Sequence, residues 1–245
     1  MQIGVIGAGN MAGALARGWG EPVLATDAGS GRAAKLVAEL GGEALTSNAE
    51  LAQRADLIVL GVKPYQLEAI AGEIADQAKR VLSILGGVSV AQLRAAFPGA
   101  EVCLTVPSTP VEVRRGITVV AEETPPADDV RELLERVGLV VVVPERLMGT
   151  TTATTGVTPA YVALIAEAMV DAAVKHGLKA DLATELVTEV LAGSAELLRA
   201  RGGDTLAMRR EVTSPGGSTA RGLAALEAAG LRDAFMDAMR AVKGE

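Results

Sequence analysis

GVIGAGNMAGAL, Gly4 to Leu15, decides the reading of the fold: an apolar stretch runs into glycines and then into a helix-forming segment. Gly7, Gly9 and Ala12 stand in a G-x-G-x-x-A arrangement. The first glycine permits a tight turn, the second lets the backbone approach a pyrophosphate, and the alanine keeps the helix close to the sheet. The amides at the helix start favour an anion. This makes Ile6, Gly7, Ala8, Gly9, Asn10 and Met11 candidate phosphate-cradling residues. The alternative is a glycine-rich strand–helix turn with no ligand.

Outward from that turn, short β-branched runs alternate with amphipathic segments. Ile3 to Ile6, Val23 to Thr26, Leu57 to Val62, Val81 to Leu85 and Val102 to Val106 read as strands, and Gly31 to Leu40 as a covering helix. Continuous apolar runs such as DLIVLGV suit strands buried on both faces of a mostly parallel, doubly wound sheet. Ile117 to Val120 and Leu139 to Val143 bracket a helix at Asp128 to Val137 and end the sheet. Beyond Pro144 the apolar spacing becomes three and four, which predicts helices only, with Gly177, Gly202 and Gly230 as stops. The expected division is 1–148 and 149–245. These helices are rich in alanine and have little apolar area of their own, so a second copy of the chain is the expected partner.

The second strand should end at Asp27, 20 residues after Gly7, where a carboxylate can take the ribose hydroxyls of NAD. Ser30 and Arg32 follow at once, and an arginine there suits the 2′-phosphate of NADP. The stretch points both ways. Lys63 and Pro64 fall at the carboxyl edge of the sheet, where such folds bind ligands, but also read as a solvated charge and a helix-starting proline. Asn48 reads equally as a helix N-cap.

Composition narrows the partners. The net charge of −7 and an aromatic content of 2% oppose nucleic-acid or anionic-membrane binding. Cys103 is the only cysteine, which excludes an intramolecular disulfide and a thiolate zinc site and fits a reducing cytoplasm. No leader and no run of roughly 18 apolar residues is expected. No metal is expected either. His176, the one histidine, lies in a helical run without a nucleophile elbow, and Glu185, Glu189 and Glu196 read as a hydrated stripe.

Near the C-terminus, MRREVTSPGGSTARGLAALE (Met208 to Glu227) sets Pro215, Gly216 and Gly217 before a helix opened by Ser218 and Thr219. Exposed amides at a helix start suit a carboxylate, although a Pro-Gly turn with ordinary capping has the same letters. This run closely resembles the signature of the pyrroline-5-carboxylate reductase family. So do GVIGAGNMAGAL, GVKPYQL (Gly61 to Leu67), ILGGVS (Ile84 to Ser89), PSTPVEVRRG (Pro107 to Gly116) and PAY (Pro159 to Tyr161), in matching order.

The resemblance implies a Rossmann-type domain followed by an all-α helical dimerisation domain exchanged between subunits. It implies a homodimer, a decamer as the higher assembly, NADP(H) with NAD(H) as the alternative, and L-proline as product. It also implies substrate binding by Lys63, Gly216, Gly217, Ser218 and Thr219, with the Thr219 hydroxyl reaching the ring nitrogen as the catalytic-site group. Val62, Lys63, Pro64, Ile84, Leu85 and Gly86 would border the nicotinamide and pyrophosphate, and Asn48 the adenosine. Departures from the family pattern are TGVTPAY at Thr155 to Tyr161, Gly149, Ser108 and Glu211. They bear on substrate range. A related imine reductase, a β-hydroxy acid dehydrogenase and a non-catalytic nucleotide-binding regulator are the competing functions.

Overall fold

Strand β1 (Ile3–Ile6) is buried in all four residues, as its unbroken apolar run requires. The chain is described by a computed structural model over residues 1–244. After β1 come α1 (Asn10–Trp19), β2 (Val23–Thr26), α2 (Arg32–Leu40), β3 (Gly42–Ala44), α3 (Asn48–Arg54) and β4 (Leu57–Leu60). Then follow α4 (Leu67–Ile74), β5 (Arg80–Ser83), α5 (Val90–Ala96), β6 (Glu101–Pro107), β7 (Gly116–Ala121), α6 (Asp128–Glu135), β8 (Gly138–Val143) and α7 (Met148–Thr155). One sheet results, in the order β3-β2-β1-β4-β5-β6-β7-β8. All neighbours are parallel except β6 and β7.

Two apolar layers cover the sheet. Trp19 and Leu15 of α1 lie in one with Val5, Val59 and Leu133; Leu51, Ile74, Leu93 and Phe97 lie in the other with Ile6, Ile58 and Leu60. The expected strands at Leu57 to Val62 and Val81 to Leu85 stop two residues early, at Leu60 and Ser83, because the chain turns there into the loops of the cleft. The edge strand β3 is absent from the sequence reading. Its Gly-Glu-Ala is wholly exposed and carries no apolar alternation to betray it.

The chain divides into two compact units, Met1–Pro159 and the residues from Ala160 onward. The first holds the whole sheet, with α7 against β7. The second holds most of α8 (Thr158–Lys175), then α9 (Ala180–Ala200), α10 (Thr205–Glu211), α11 (Ser218–Ala228) and α12 (Leu231–Lys243). Among the described residues of this helical unit only Ala183 and Val187 are buried. Leu164 is 63% exposed, and Leu186, Val190, Leu226 and Met236 are exposed as well.

The sequence predicts no membrane-length run, yet Glu145–Lys175 is long and apolar enough by composition to cross a bilayer, with mean hydropathy 1.5. Strictly apolar side chains never run that far there. Alanine and threonine between them keep the average high, and the segment is divided between α7 and α8.

Candidate functional site

Gly7 turns the chain at the carboxyl end of β1 with φ +87°, a left-handed angle that a side chain resists. Its N–H donates to the Thr26 carbonyl at 3.0 Å, and the Gly9 N–H donates to the Gly7 carbonyl at 2.7 Å. Gly9 caps α1 without any side chain, so the first-turn amides of α1 face outward. The close approach is mutual. A Cβ on Gly7 would lie 2.8 Å from the Gly61 carbonyl carbon, and one on Gly61 would lie 2.7 Å from the Ala12 Cβ.

These loops open a cleft of about 600 Å³ at the carboxyl ends of β1, β2, β4 and β5. The sheet order reverses there, between β1 and β4, which is where doubly wound sheets bind ligands. Gly7 to Met11, Ser30, Arg32, Val62, Lys63, Pro64 and Ile84 to Gly86 all line it. So do Asp27, the candidate ribose carboxylate, and Ala28, Gly61 and Gln66, which the sequence did not single out as ligand-binding. Gln66 accepts the Lys63 N–H at 3.0 Å and so fixes the turn after β4.

Two of the cofactor-binding candidates do not line the cleft. Ile6 is buried beneath it, its carbonyl accepting the Gly61 N–H at 2.8 Å. Asn48 accepts the Thr26 hydroxyl at 2.6 Å and donates to Glu73 at 2.7 Å. Asn48 is not the N-cap of α3 either; Ser47 is, with its Oγ accepting the Glu50 N–H at 3.2 Å. Another cleft, about 580 Å³, sits at the opposite end of the strands beside Arg80, Glu101 and Cys103. Burial pushes the Cys103 thiol up to about 12.

At the far end of β2, Asp27 turns inward to its own loop. Its Oδ1 accepts the N–H groups of Gly29 (2.7 Å) and Ser30 (2.9 Å), and its Oδ2 that of Ala33 (2.7 Å). The Ala33 amide above all, with the Ser30 hydroxyl and the Gly29 and Ser30 amides, holds this carboxyl below its usual range against the effect of burial.

In the helical unit, Gly216 takes φ +66° and Gly217 caps α11, again with no side-chain cap. The Arg221 guanidinium donates to the Gly216 carbonyl at 2.7 Å and the Gly217 N–H to that of Ser214 at 3.0 Å. Ser218 and Thr219 thus open α11 with their amides outside the helical ladder. Of the four departures from the family pattern, all but Gly149 are engaged by hydrogen bonds or an ion pair. Ser108 is buried, its Oγ accepting the Ile117 N–H at 2.9 Å. Glu211 pairs with both terminal nitrogens of Arg201, at 2.7 and 3.1 Å. Gly149 lies exposed in α7, and Thr158 bonds back to the Thr154 carbonyl at 2.6 Å.

A glycine turn leading from a buried parallel strand into an uncapped helix, at the point where the sheet order reverses, defines a dinucleotide-binding protein of the Rossmann type. Residues 2–87 match the family described as NADP oxidoreductase coenzyme F420-dependent, and residues 145–244 match pyrroline-5-carboxylate reductase dimerisation. The pyrroline-5-carboxylate reductase of a Synechocystis species is 36% identical over 200 residues, spanning 79% of this chain and 75% of that protein. That of Methanosarcina acetivorans is 33% identical over 97% of this chain and 94% of its own. Among solved structures, the pyrroline carboxylate reductase of Plasmodium falciparum with NADP bound superposes with a TM-score of 0.88 at 28% identity, covering 100% of this chain and 96% of that one. The chain belongs to the pyrroline-5-carboxylate reductase family.

Proposed function

We propose that this chain reduces the cyclic C=N bond of 1-pyrroline-5-carboxylate to give L-proline, with NADPH as the reductant. The observation that carries the reading is the uncapped Gly216–Thr219 helix mouth in a chain of this family. A substrate with one carboxylate beside a ring nitrogen needs backbone amides for the acid and a hydroxyl one turn-step away for the nitrogen. Ser218 and Thr219 offer both. Gly7, where a Cβ would meet the Gly61 carbonyl carbon at 2.8 Å, makes the turn, and Gly9, with no side chain in the way, lets the pyrophosphate reach the first amides of α1.

When bound, the nicotinamide supplies a hydride from its C4 position. Val62, Lys63, Pro64 and Ile84 to Gly86 border that ring and keep water from it. The amides of Ser218 and Thr219, from the same or the partner subunit, hold the substrate carboxylate, while the Gly217 amide, spent on the Ser214 carbonyl, shapes the turn. Thr219 Oγ orients the ring nitrogen by a hydrogen bond; an aliphatic hydroxyl is too weak an acid near neutrality to be the proton source. The protein's contribution is orientation and exclusion of water. NADPH is preferred to NADH because Ser30 and Arg32 face the cleft. The chain works as a cytoplasmic homodimer through its C-terminal helices, with a decamer as the higher assembly, and its net charge of −7 argues against nucleic-acid partners.

Steady-state oxidation of NADPH and of NADH with 1-pyrroline-5-carboxylate tests this directly. Thr219→Ala is expected to lower kcat about 10- to 100-fold, the effect of losing one transition-state hydrogen bond, with little change in NADPH affinity. Unchanged kcat would reject the role of Thr219. The altered TGVTPAY segment and Glu211 favour one second reading, a different cyclic imine or a β-hydroxy acid as substrate. Turnover of such a compound without turnover of pyrroline-5-carboxylate would establish it, and cofactor binding with no turnover at all would point to a regulator.

A further inference from the structure

A carboxylate at the end of β2 is the group that takes ribose hydroxyls in NAD-binding folds, and Asp27 holds that place. Its two oxygens are nevertheless engaged with its own chain, by the Gly29, Ser30 and Ala33 amides at 2.7, 2.9 and 2.7 Å. The geometry points to Asp27 as a positioning residue: it winds the Gly29–Ala33 loop into the shape that presents Ser30 and Arg32 to an adenosine 2′-phosphate, and it is not a ligand of the ribose. This deepens the NADPH reading above and rests on it.

Three observations converge on that assignment. The loop wraps the carboxylate through two left-handed glycines, Gly29 and Gly31, at φ +83° and +74°, angles that a side chain resists even though a Cβ at either would meet open space. The three amide bonds tie Gly29, Ser30 and Ala33 to one carboxylate and so fix the turn between them. Ser30 and Arg32 are exposed on the cleft wall beside Asp27 and Ala28. The Arg32 guanidinium has no acidic partner among the described residues, so its charge is free for a dianion, whereas Arg17 and Arg54 nearby on the chain are both paired to glutamates. A carboxylate next to a phosphate would ordinarily repel it. Here three N–H donors are spent on that charge, which lowers its field toward the cleft.

Charge and clamp make opposite predictions. If Asp27 bound ribose hydroxyls, or acted only as a repelling charge, neutralising it would raise the preference for NADPH. As a clamp it must do the reverse. The experiment uses the full-length protein and reads the NADPH:NADH ratio of kcat/KM with pyrroline-5-carboxylate. It is joined by calorimetric binding of adenosine 2′,5′-bisphosphate against 5′-AMP, which needs no turnover.

Asp27→Ala is expected to lower both ratios by roughly tenfold. Asp27→Asn should lower them less, since its one carbonyl keeps the Gly29 and Ser30 bonds and loses that of Ala33. Should the Asp27 variants fail to fold, Gly31→Ala disturbs the same loop and leaves the carboxylate in place; the same fall is expected. A ratio that rises or stays level in variants of a protein that itself selects NADPH would overturn the role of Asp27 alone. A wild-type protein that binds the bisphosphate no better than 5′-AMP would instead remove the NADPH reading, and the clamp with it.

Discussion

Gly61 shows what a single residue does that its neighbours in sequence do not announce. Gly7 and Gly9 were legible because their spacing is a motif. Gly61 closes the apolar run DLIVLG and looks like an ordinary strand end. Its role comes from β1 and β4 lying side by side, which leaves a Cβ at Gly61 no room between the Gly7 carbonyl and the Ala12 methyl. Gly61→Ala should therefore cost about 1–3 kcal/mol through overpacking. We expect a lower melting temperature and weaker quenching of NADPH fluorescence on titration; wild-type behaviour in both would show that the two loops can part without loss. Asp27 illustrates the same limit. Its position in the chain was readable, but the amides it would choose were not.

Elements followed the sequence wherever burial was two-sided. β1, β2 and β4 are buried throughout, and the strands begin where their apolar runs begin. What escaped was polar or marginal. β3 has no buried residue, and α7 is built from a threonine run that β-branching disfavours in helices. Inside it the threonine hydroxyls are satisfied by bonding back one turn, Thr152 to the Met148 carbonyl at 2.7 Å, Thr154 to Thr150 and Thr155 to Thr151 at 2.8 Å each. In α4, Gly72 has open space around a would-be Cβ and an ordinary helical backbone. Gly72→Ala is expected to stabilise the protein by about 0.5–1 kcal/mol, mainly by restricting the unfolded chain. A thermal midpoint raised by about 1–3 °C is the readout, and a lowered one would mean that the helix is crowded there by a neighbour.

At the scale of the whole molecule the two units obey different rules. The sheet unit carries its own core on both faces, so its architecture could be read from strand rhythm alone. The helical unit buries two small or medium side chains and exposes more than a dozen large apolar ones. Periodicity announced the helices, but no pattern within one chain says what covers them. In the proposed dimer those faces cover each other, which accounts for the apolar reach of Glu145–Lys175 as well. Leu164→Glu with Leu186→Glu should shift the mass seen by light scattering from an oligomer to the 25.0 kDa monomer and abolish turnover. Retention of the oligomer would place the interface elsewhere.

The sparse interior of the helical unit has a consequence for inheritance. Two polypeptides that complete one another's hydrophobic contacts share their defects, so a lesion in one helix would be felt by an intact sister chain. Co-expressed mutant and normal copies would then form mixed pairs with impaired output. A damaged allele of this kind would poison the product of a healthy one, while damage confined to the nucleotide-binding half would stay with the copy that carries it.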